Sequence, residues 1–591
     1  MNKNGVLKKI LYINLSTKSY RVINRKELFE KNIGGTGVAS KLLLEECPKN
    51  INPFDKESPI IFAIGNLTGV FPLASKTVSM FKSPLTKNLG ESHAGGRSAI
   101  AMRMADIGAI VIKGKSDIPV YLAIYGNKVY FRDATTLWGM QSSEVVGKII
   151  RNKEEYAGLR TIMRIGRAGE EKIPYASVIT ETYRHFGRLG LGAVFGSKKL
   201  KGIMIAGKHE IPIDNSKEYR KIYDEIFHQA TSSEMMKKYH DLGTPQNVLP
   251  LNELKALPTR NLQSSYFETA EGISGESFAM EHLGRRLACS HCPVACIHIA
   301  ALREPYDNEH YFYKTSMISY DYELIYSLGT MLGISKPKNV LRLIQEVEET
   351  GIDGMSTGVI LAWATEASKK GIITEQQLDG VSLEWGNYKE YVKAIEKIIE
   401  KPNEFYKDLS LGVYHTSRKY GGEDFALTFG RNEMPGYHTG PAAYVGFMIG
   451  ARHSHLDSGG YSIDQKILTK QNLQPEDIVD KLMEEECWRQ ILSSLVICFF
   501  ARKIYSEEIV TRSLKVLGLE YDMDEIKKLG EKIYKRKMEF KFREGFDFQN
   551  IEIPDRIIET KSPTIEFDKK FLKKALKYAE EKFKNNDVIN K

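Results

Sequence analysis

The chain has 591 residues, 42% hydrophobic and 27% charged, with a formal net charge of +9. That length exceeds one core and predicts two to four domains, while the balanced composition excludes a disordered or collagen-like chain. Six cysteines exclude a disulfide scaffold, and no dense basic run interleaves with aromatics, so no nucleic-acid partner is expected. The basic excess reads as a solvated lysine-rich surface or as a docking face for an acidic partner.

The first segment, MNKNGVLKKILYINLST, carries lysines and apolar residues, but Asn14 interrupts it and no cleavage site follows. It predicts an opening β-strand and turn in a cytoplasmic protein. LYINL, PIIFAIG, AIVIKG, PVYLAIYG, KVYFRD and GIMIAG read as further strands in a sheet-rich domain over residues 1–208. Four glycine-rich segments interrupt them: Gly34–Gly37, Gly65–Gly69, Ala94–Gly96 and Gly187–Lys198. Each is a tight turn or a cradle in which backbone N–H groups approach an anion.

From Ser216 the apolar spacing becomes helical. In KNVLRLIQEVEETG, Val340, Leu343, Ile344 and Val347 share one face and Gly351 supplies a stop. A boundary near Tyr420–Gly422 divides the helical part into residues 209–420 and 421–591. The apolar run Ile491–Phe500 is too short for a membrane span and reads as a buried core helix.

Cys289, Cys292 and Cys296 form C-x2-C-x3-C in CSHCPVAC. Thiolates this close suit one face of an iron–sulfur cluster; zinc, completed by His291 or His298, suits the same spacing. A fourth cluster ligand would come from Cys47, Cys487 or Cys498. Cys487 reads as the exposed one, and a thiolate at Cys498, in SSLVICFFA, makes sense only if a metal neutralises it.

Read together, IGGTGVASKLLLEE, IFAIGNLTG, GAIVIKGKSDIPVYL, GRLGLGAVFGSKKLK, LPTRNLQ, the cysteine cluster, YELIYSLGTMLGI, GIDGMSTG, EMPGY and FREGF resemble the aldehyde:ferredoxin oxidoreductase family nearly end to end. The resemblance implies an α+β fold: an N-terminal double β-sheet pterin-binding domain followed by two mainly helical domains. It implies a tungsten (or molybdenum) bis-pterin, one [4Fe–4S] cluster and a magnesium ion bridging the pterin phosphates. The activity it implies is oxidation of an aldehyde by water, with electrons leaving to ferredoxin or a ferredoxin-like subunit.

Matched residue by residue, the resemblance makes Cys498 the fourth cluster ligand. It places pterin contacts at Lys76, His93, Gly95, Arg188 and Gly190, and at Glu348, Asp353 and Ser493. Lys76 stands where the family has arginine, His93 where it has asparagine, and Ser493 where it has an acid. The catalytic acid falls on Glu323, with His455 or His453 beside it and His455 preferred; Arg452 and Asp457 would orient the ring. Arg342 and Gln345 replace a Glu-x-x-His pair that bridges subunits through a metal, so a homodimer would lack that bridge. Two alternatives stand beside this reading: a low-potential reductase subunit of the same family, and a zinc-stabilised binding module with no catalysis.

Overall fold

The structure is a computed structural model describing residues 5–156, 158–181, 183–306, 309–585 and 588, with side chains 309 and 310 excepted. Twelve strands before residue 207 form two six-stranded sheets. The first holds β1 (Lys9–Asn14), β2 (Ser19–Asn24), β3 (Ile60–Ala63), β4 (Thr77–Lys82), β5 (Leu89–Ala94) and β6 (Ala109–Lys113), in the order β2-β1-β6-β3-β4-β5. The second holds β7 (Val120–Tyr125), β8 (Lys128–Asp133), β9 (Arg160–Arg164), β10 (Val178–Thr180), β11 (Arg184–Phe186) and β12 (Leu200–Ala206), in the order β11-β10-β9-β12-β7-β8. Each sheet has one parallel pair, β1 with β6 and β7 with β12.

The edge strands β5 and β11 pack against each other, so the two sheets form one floor. Phe186 of β11 meets Phe62 of β3 edge-on at 5.4 Å. All six strands read from the sequence are present. Of the six unread ones, β5 and β11 carry the polar residues of the site.

The helical part follows, interrupted by a three-stranded sheet of β13 (Leu283–Leu287), β14 (Ile297–Tyr306) and β15 (Glu309–Tyr320). Helix Pro337–Thr350 buries Val340, Leu343, Ile344 and Val347 and ends on a left-handed Gly351. One hydrophobic core cluster includes residues from Val6 to Val588, so the sheets and helices share an interior. No helix among the described residues is long and apolar enough to cross a membrane.

The run Ile491–Phe500 is not one helix. Helix Pro475–Ser494 ends first, and Val496 adopts φ 55°, a left-handed turn that reverses the chain. The reversal lets Cys498 N–H donate to Leu73 O at 3.0 Å, which a continued helix would prevent.

Candidate active site

Segment Phe71–Lys76 of the sheet floor stitches the two cysteine sources together. Leu73 N–H donates to His291 O and Leu73 O accepts from Cys498 N–H, each at 3.0 Å, and Lys76 N–H donates to Val496 O at 3.2 Å. Ser290 N–H reaches back to Gly96 O at 2.8 Å. Cys289, Cys292, Cys296 and Cys498 thereby converge within electrostatic range of one another. Burial, and then the neighbouring thiols, push the Cys292 and Cys296 thiols up. At Cys289 burial is outweighed by Lys76 and Arg184, which hold its thiol below the ordinary range. Gly95 belongs to this wall: a Cβ there would stand 2.7 Å from Cys289 Sγ and 3.3 Å from Lys76 Nζ.

Beside the thiols, two buried guanidiniums and a buried imidazole, which burial and neighbouring arginines lower to about 3, line the junction of sheets and helices. Arg184 and His185 come from β11 and Arg188 from the loop after it. Arg184 Nε, His185 Nε2 and both Nε and Nη1 of Arg188 are buried without a hydrogen-bond partner among the described residues, as is Glu348 Oε1. Such orphans cost about 1–3 kcal/mol each when left unmet; His185 Nε2 and Glu348 Oε1 face each other across the junction at 3.6 Å. The opposite wall is loop 348–353. Its Gly351 O accepts from Ser177 N–H at 2.9 Å, and Gly166 is so close to Thr350 O that a Cβ would stand 2.2 Å away. Asp353 caps helix Gly354–Lys369 through Ser356 N–H at 2.9 Å and lies 3.9 Å from Arg188 Nε.

The third component is an acid–imidazole pair. Asp321 caps helix Tyr322–Leu328 and sets Glu323 in its first turn. Glu323 Oε2 accepts from Gly436 N–H at 3.2 Å, and its Oε1 stands 3.3 Å from His455 Nε2. His455 opens a short helix capped reciprocally by Ser454 and Asp457; Asp457 is also paired with Arg452 at 2.6 Å. Burial raises the Glu323 carboxyl to about 8, with Asp321 and Asp353 adding to the effect. Burial lowers His455 to about 3, with the cations Arg188, Arg489 and Arg452 adding to it. At neutral pH the proton of this pair therefore rests on the glutamic acid.

Residues 10–207 match the N-terminal domain of aldehyde ferredoxin oxidoreductase, and residues 221–583 match its domains 2 and 3. The chain belongs to the aldehyde ferredoxin oxidoreductase family. It is 30% identical over 574 residues to a tungsten-containing aldehyde ferredoxin oxidoreductase of Thermococcus kodakarensis, covering 94% of this chain and 92% of that one. It is 31% identical over 428 residues to the WOR-like subunit of an aliphatic sulfonate oxidoreductase of Pyrococcus furiosus, covering 70% and 67% of the two chains. In fold it resembles a chain of the active-site complex BamBC of benzoyl coenzyme A reductase, with a TM-score of 0.81 at 21% identity over 99% and 96% of the two chains.

The two candidate histidines part company. His453 faces Phe447 O and Lys541 Nζ, each at 2.9 Å, and does not join Glu323. His93 Nε2 meets Glu91 Oε1 at 2.6 Å, and Glu91 pairs with Lys537 at 2.6 Å inside the core. Several glycines serve close approach. Gly35 presses on Ser493 O, Gly37 N–H is spent on Ser494 Oγ at 2.9 Å, and a Cβ on Gly190 would stand 1.9 Å from Pro174 O. Ser493 itself is buried at the end of helix Pro475–Ser494.

Among the other cysteines, Cys487 is buried, contrary to its charged surroundings in sequence, because helix Met523–Arg543 covers it at Gly530. Cys47 ends helix Gly35–Glu46, its thiol raised to about 11 by burial. Arg342 and Gln345 bond to each other at 3.0 Å, and Arg342 also pairs with Glu304 at 3.0 Å. Arg184 and His185 were not singled out by sequence reasoning, nor was Glu433, whose main-chain O accepts from Arg188 Nη2 and whose Oε2 accepts from Ser356 Oγ at 2.8 Å. The alternation of cations in RHFGR, directly before the glycine run, is the signal that points to the first two.

Proposed function

We propose that this chain oxidises an aldehyde with water, RCHO + H2O → RCOOH + 2 H+ + 2 e−, passing the electrons to ferredoxin or a ferredoxin-like subunit. The observation that carries this reading is the buried Glu323–His455 pair in one junction with four converging thiols and the buried guanidiniums of Arg184 and Arg188. The donor set fits the family's cofactors. Cys289, Cys292, Cys296 and Cys498 would hold a [4Fe–4S] cluster, whose four thiolates bind separate irons. His298 Nδ1 stands 3.2 Å from Cys296 O and its Nε2 3.1 Å from His240 O, so the ring faces backbone carbonyls on both sides.

Arg184, His185, Arg188 and Lys76 would meet the anionic pterins, with Glu348 and Asp353 as acceptors on the facing loop. A bound tungsten or molybdenum bis-pterin would supply Lewis acidity and take up the electron pair. Glu323, once deprotonated, removes a proton from water or the hydrated aldehyde, and His455 holds the substrate oxygen by a hydrogen bond. Tyr322 and Tyr326 keep the acid in place by donating to Gly436 O and Met434 O.

A second reading rests on that same proton. Glu323 carries it at neutral pH, which suits a donor in a low-potential reduction as well as a base in waiting. The test is elemental analysis of anaerobically purified protein followed by aldehyde turnover with a viologen dye. Tungsten or molybdenum with about four irons per chain, and dye reduction by aldehyde, are expected. Zinc alone overturns both readings. Metal and iron without aldehyde oxidation, but with dye-driven reduction of an aryl thioester, select the second.

A further inference from the structure

Away from the acid–imidazole pair, a cleft of about 900 Å³ opens where helix Met523–Arg543 faces helices Lys26–Asn32 and Gly35–Glu46. It shares Lys532, Arg536 and Glu539 with a second cavity of about 630 Å³, so the two form one groove along the helix. Seven cations and three acids line the cleft, a surplus of four positive charges. Two of the acids are already paired, Glu27 with Lys31 at 3.2 Å and Glu45 with Arg25 at 2.8 Å and Lys41 at 3.4 Å. Of the other cations, Lys26 and Arg543 lean on Glu30 and Glu544 beside the cleft, at 3.7 Å and 2.9 Å. Lys532 and Arg536 have no carboxylate within 4.0 Å among the described residues.

Arg536 decides what the cleft can hold. It is only 8% exposed, and its Nη1 donates to Gly37 O at 2.8 Å, Asn32 Oδ1 at 3.0 Å and Ser40 Oγ at 3.3 Å. These bonds fix the plane of the guanidinium. Its Nε and Nη2 have no acceptor among the described residues, yet neither is sealed off, and both stay reachable from the cleft. Burial lowers the Arg536 group from its ordinary range, and Glu539 and Glu45 offset only part of that. A guanidinium withdrawn from water without a carboxylate is costly, and an anion on its open nitrogens removes that cost. Lys532 lies one helical turn earlier on the same face and is exposed. A fixed fork with an ammonium one turn away suits adjacent phosphoryl groups better than a single carboxylate. A floor this deep is open to a small anion rather than to the surface of a folded partner.

We propose that this cleft binds a small molecule carrying two or more linked phosphoryl groups, held by the Arg536 fork and by Lys532. Inorganic polyphosphate and nucleoside polyphosphates share that chemistry. The inference is independent of the aldehyde-oxidation reading, because no residue of the cleft belongs to the candidate active site. Binding also joins the two N-terminal helices to helix Met523–Arg543, so the ligand should raise the melting temperature.

The test is calorimetric titration of the anaerobic holoenzyme with tripolyphosphate, ATP, adenosine and sodium sulfate. One site per chain is expected for tripolyphosphate and for ATP, with affinity falling as salt rises. Adenosine should not bind, and sulfate should bind at least about tenfold more weakly. Lys532→Glu, an exposed change, should weaken both phosphates about tenfold or more while circular dichroism and iron content stay unchanged. Arg536→Lys keeps the charge but loses the fork, and should weaken them by a similar factor. Equal affinity for tripolyphosphate and ATP assigns the site to the phosphate chain; tighter ATP adds packing of the nucleoside, and either outcome supports the inference. No binding of tripolyphosphate, sulfate bound as tightly, or affinity that Lys532→Glu leaves unchanged overturns it.

Discussion

Gly95→Ala is the sharpest probe of where the cluster sits. The new Cβ would stand 2.7 Å from Cys289 Sγ, where an ordinary contact is about 3.5 Å or more. The sulfur must therefore retreat by roughly 0.8 Å, several times the tolerance of about 0.2 Å that ligand distances allow. Lys76 Nζ, at 3.3 Å, ends a flexible side chain and can swing aside. Gly95 has an ordinary φ, so alanine carries no backbone strain there. Local overpacking costs about 1–3 kcal/mol, and the stiffer unfolded chain offsets about 0.4–1 kcal/mol of it. The protein should fold and lose its cluster. Iron per chain should drop from about four to under half of that, with the visible thiolate–iron absorption falling in parallel and far-UV circular dichroism retained. A variant with full iron and unchanged absorption would refute the placement of Cys289 against Gly95.

Two further outcomes follow from the acid–imidazole pair. Because Glu323 is raised to about 8 and acts deprotonated, kcat of the holoenzyme should rise about tenfold per pH unit below 8 and then level. Glu323→Gln should abolish that limb together with most turnover, and a rate that falls as pH rises would show that the protonated acid is the working form. The histidines should separate by readout. His455→Phe should cost at least about a hundredfold in kcat with little change in melting temperature. His453→Phe strands the buried Lys541 ammonium and should cost about 1–3 kcal/mol of stability, leaving turnover per folded molecule nearly unchanged. The reverse pattern would exchange their roles.

Much of this chain was legible without coordinates because apolar periodicity is a local signal. β1, β3, β6, β7 and β12 are runs whose side chains enter the interior, β8 is an edge strand that buries Val129, and helix Pro337–Thr350 shows its stripe and its glycine stop in the sequence itself. Ordered motif matches pointed to the family, which the family models bear out. Strands β5 and β11 were not legible for the reason that makes them useful. LGESHA and RHF face a polar junction, so they lack the apolar alternation by which strands are read.

Tertiary structure decided which distant groups meet. Cys47, Cys487 and Cys498 are alike in composition, and burial does not choose between them. Cys498 comes within range of the other three thiols because Val496 turns left-handed and Cys498 N–H then reaches Leu73 O. His453 and His455 lie two residues apart, yet the cap of Ser454 and Asp457 sends one ring to Glu323 while the other meets Lys541. Glycine runs that read equally as phosphate cradles divide by what lies opposite: a cysteine sulfur at Gly95, a backbone carbonyl at Gly35 and Gly190. Such choices depend on contacts between residues hundreds of positions apart, set by how sheets and helices close on one another, and local spacing carries no record of them.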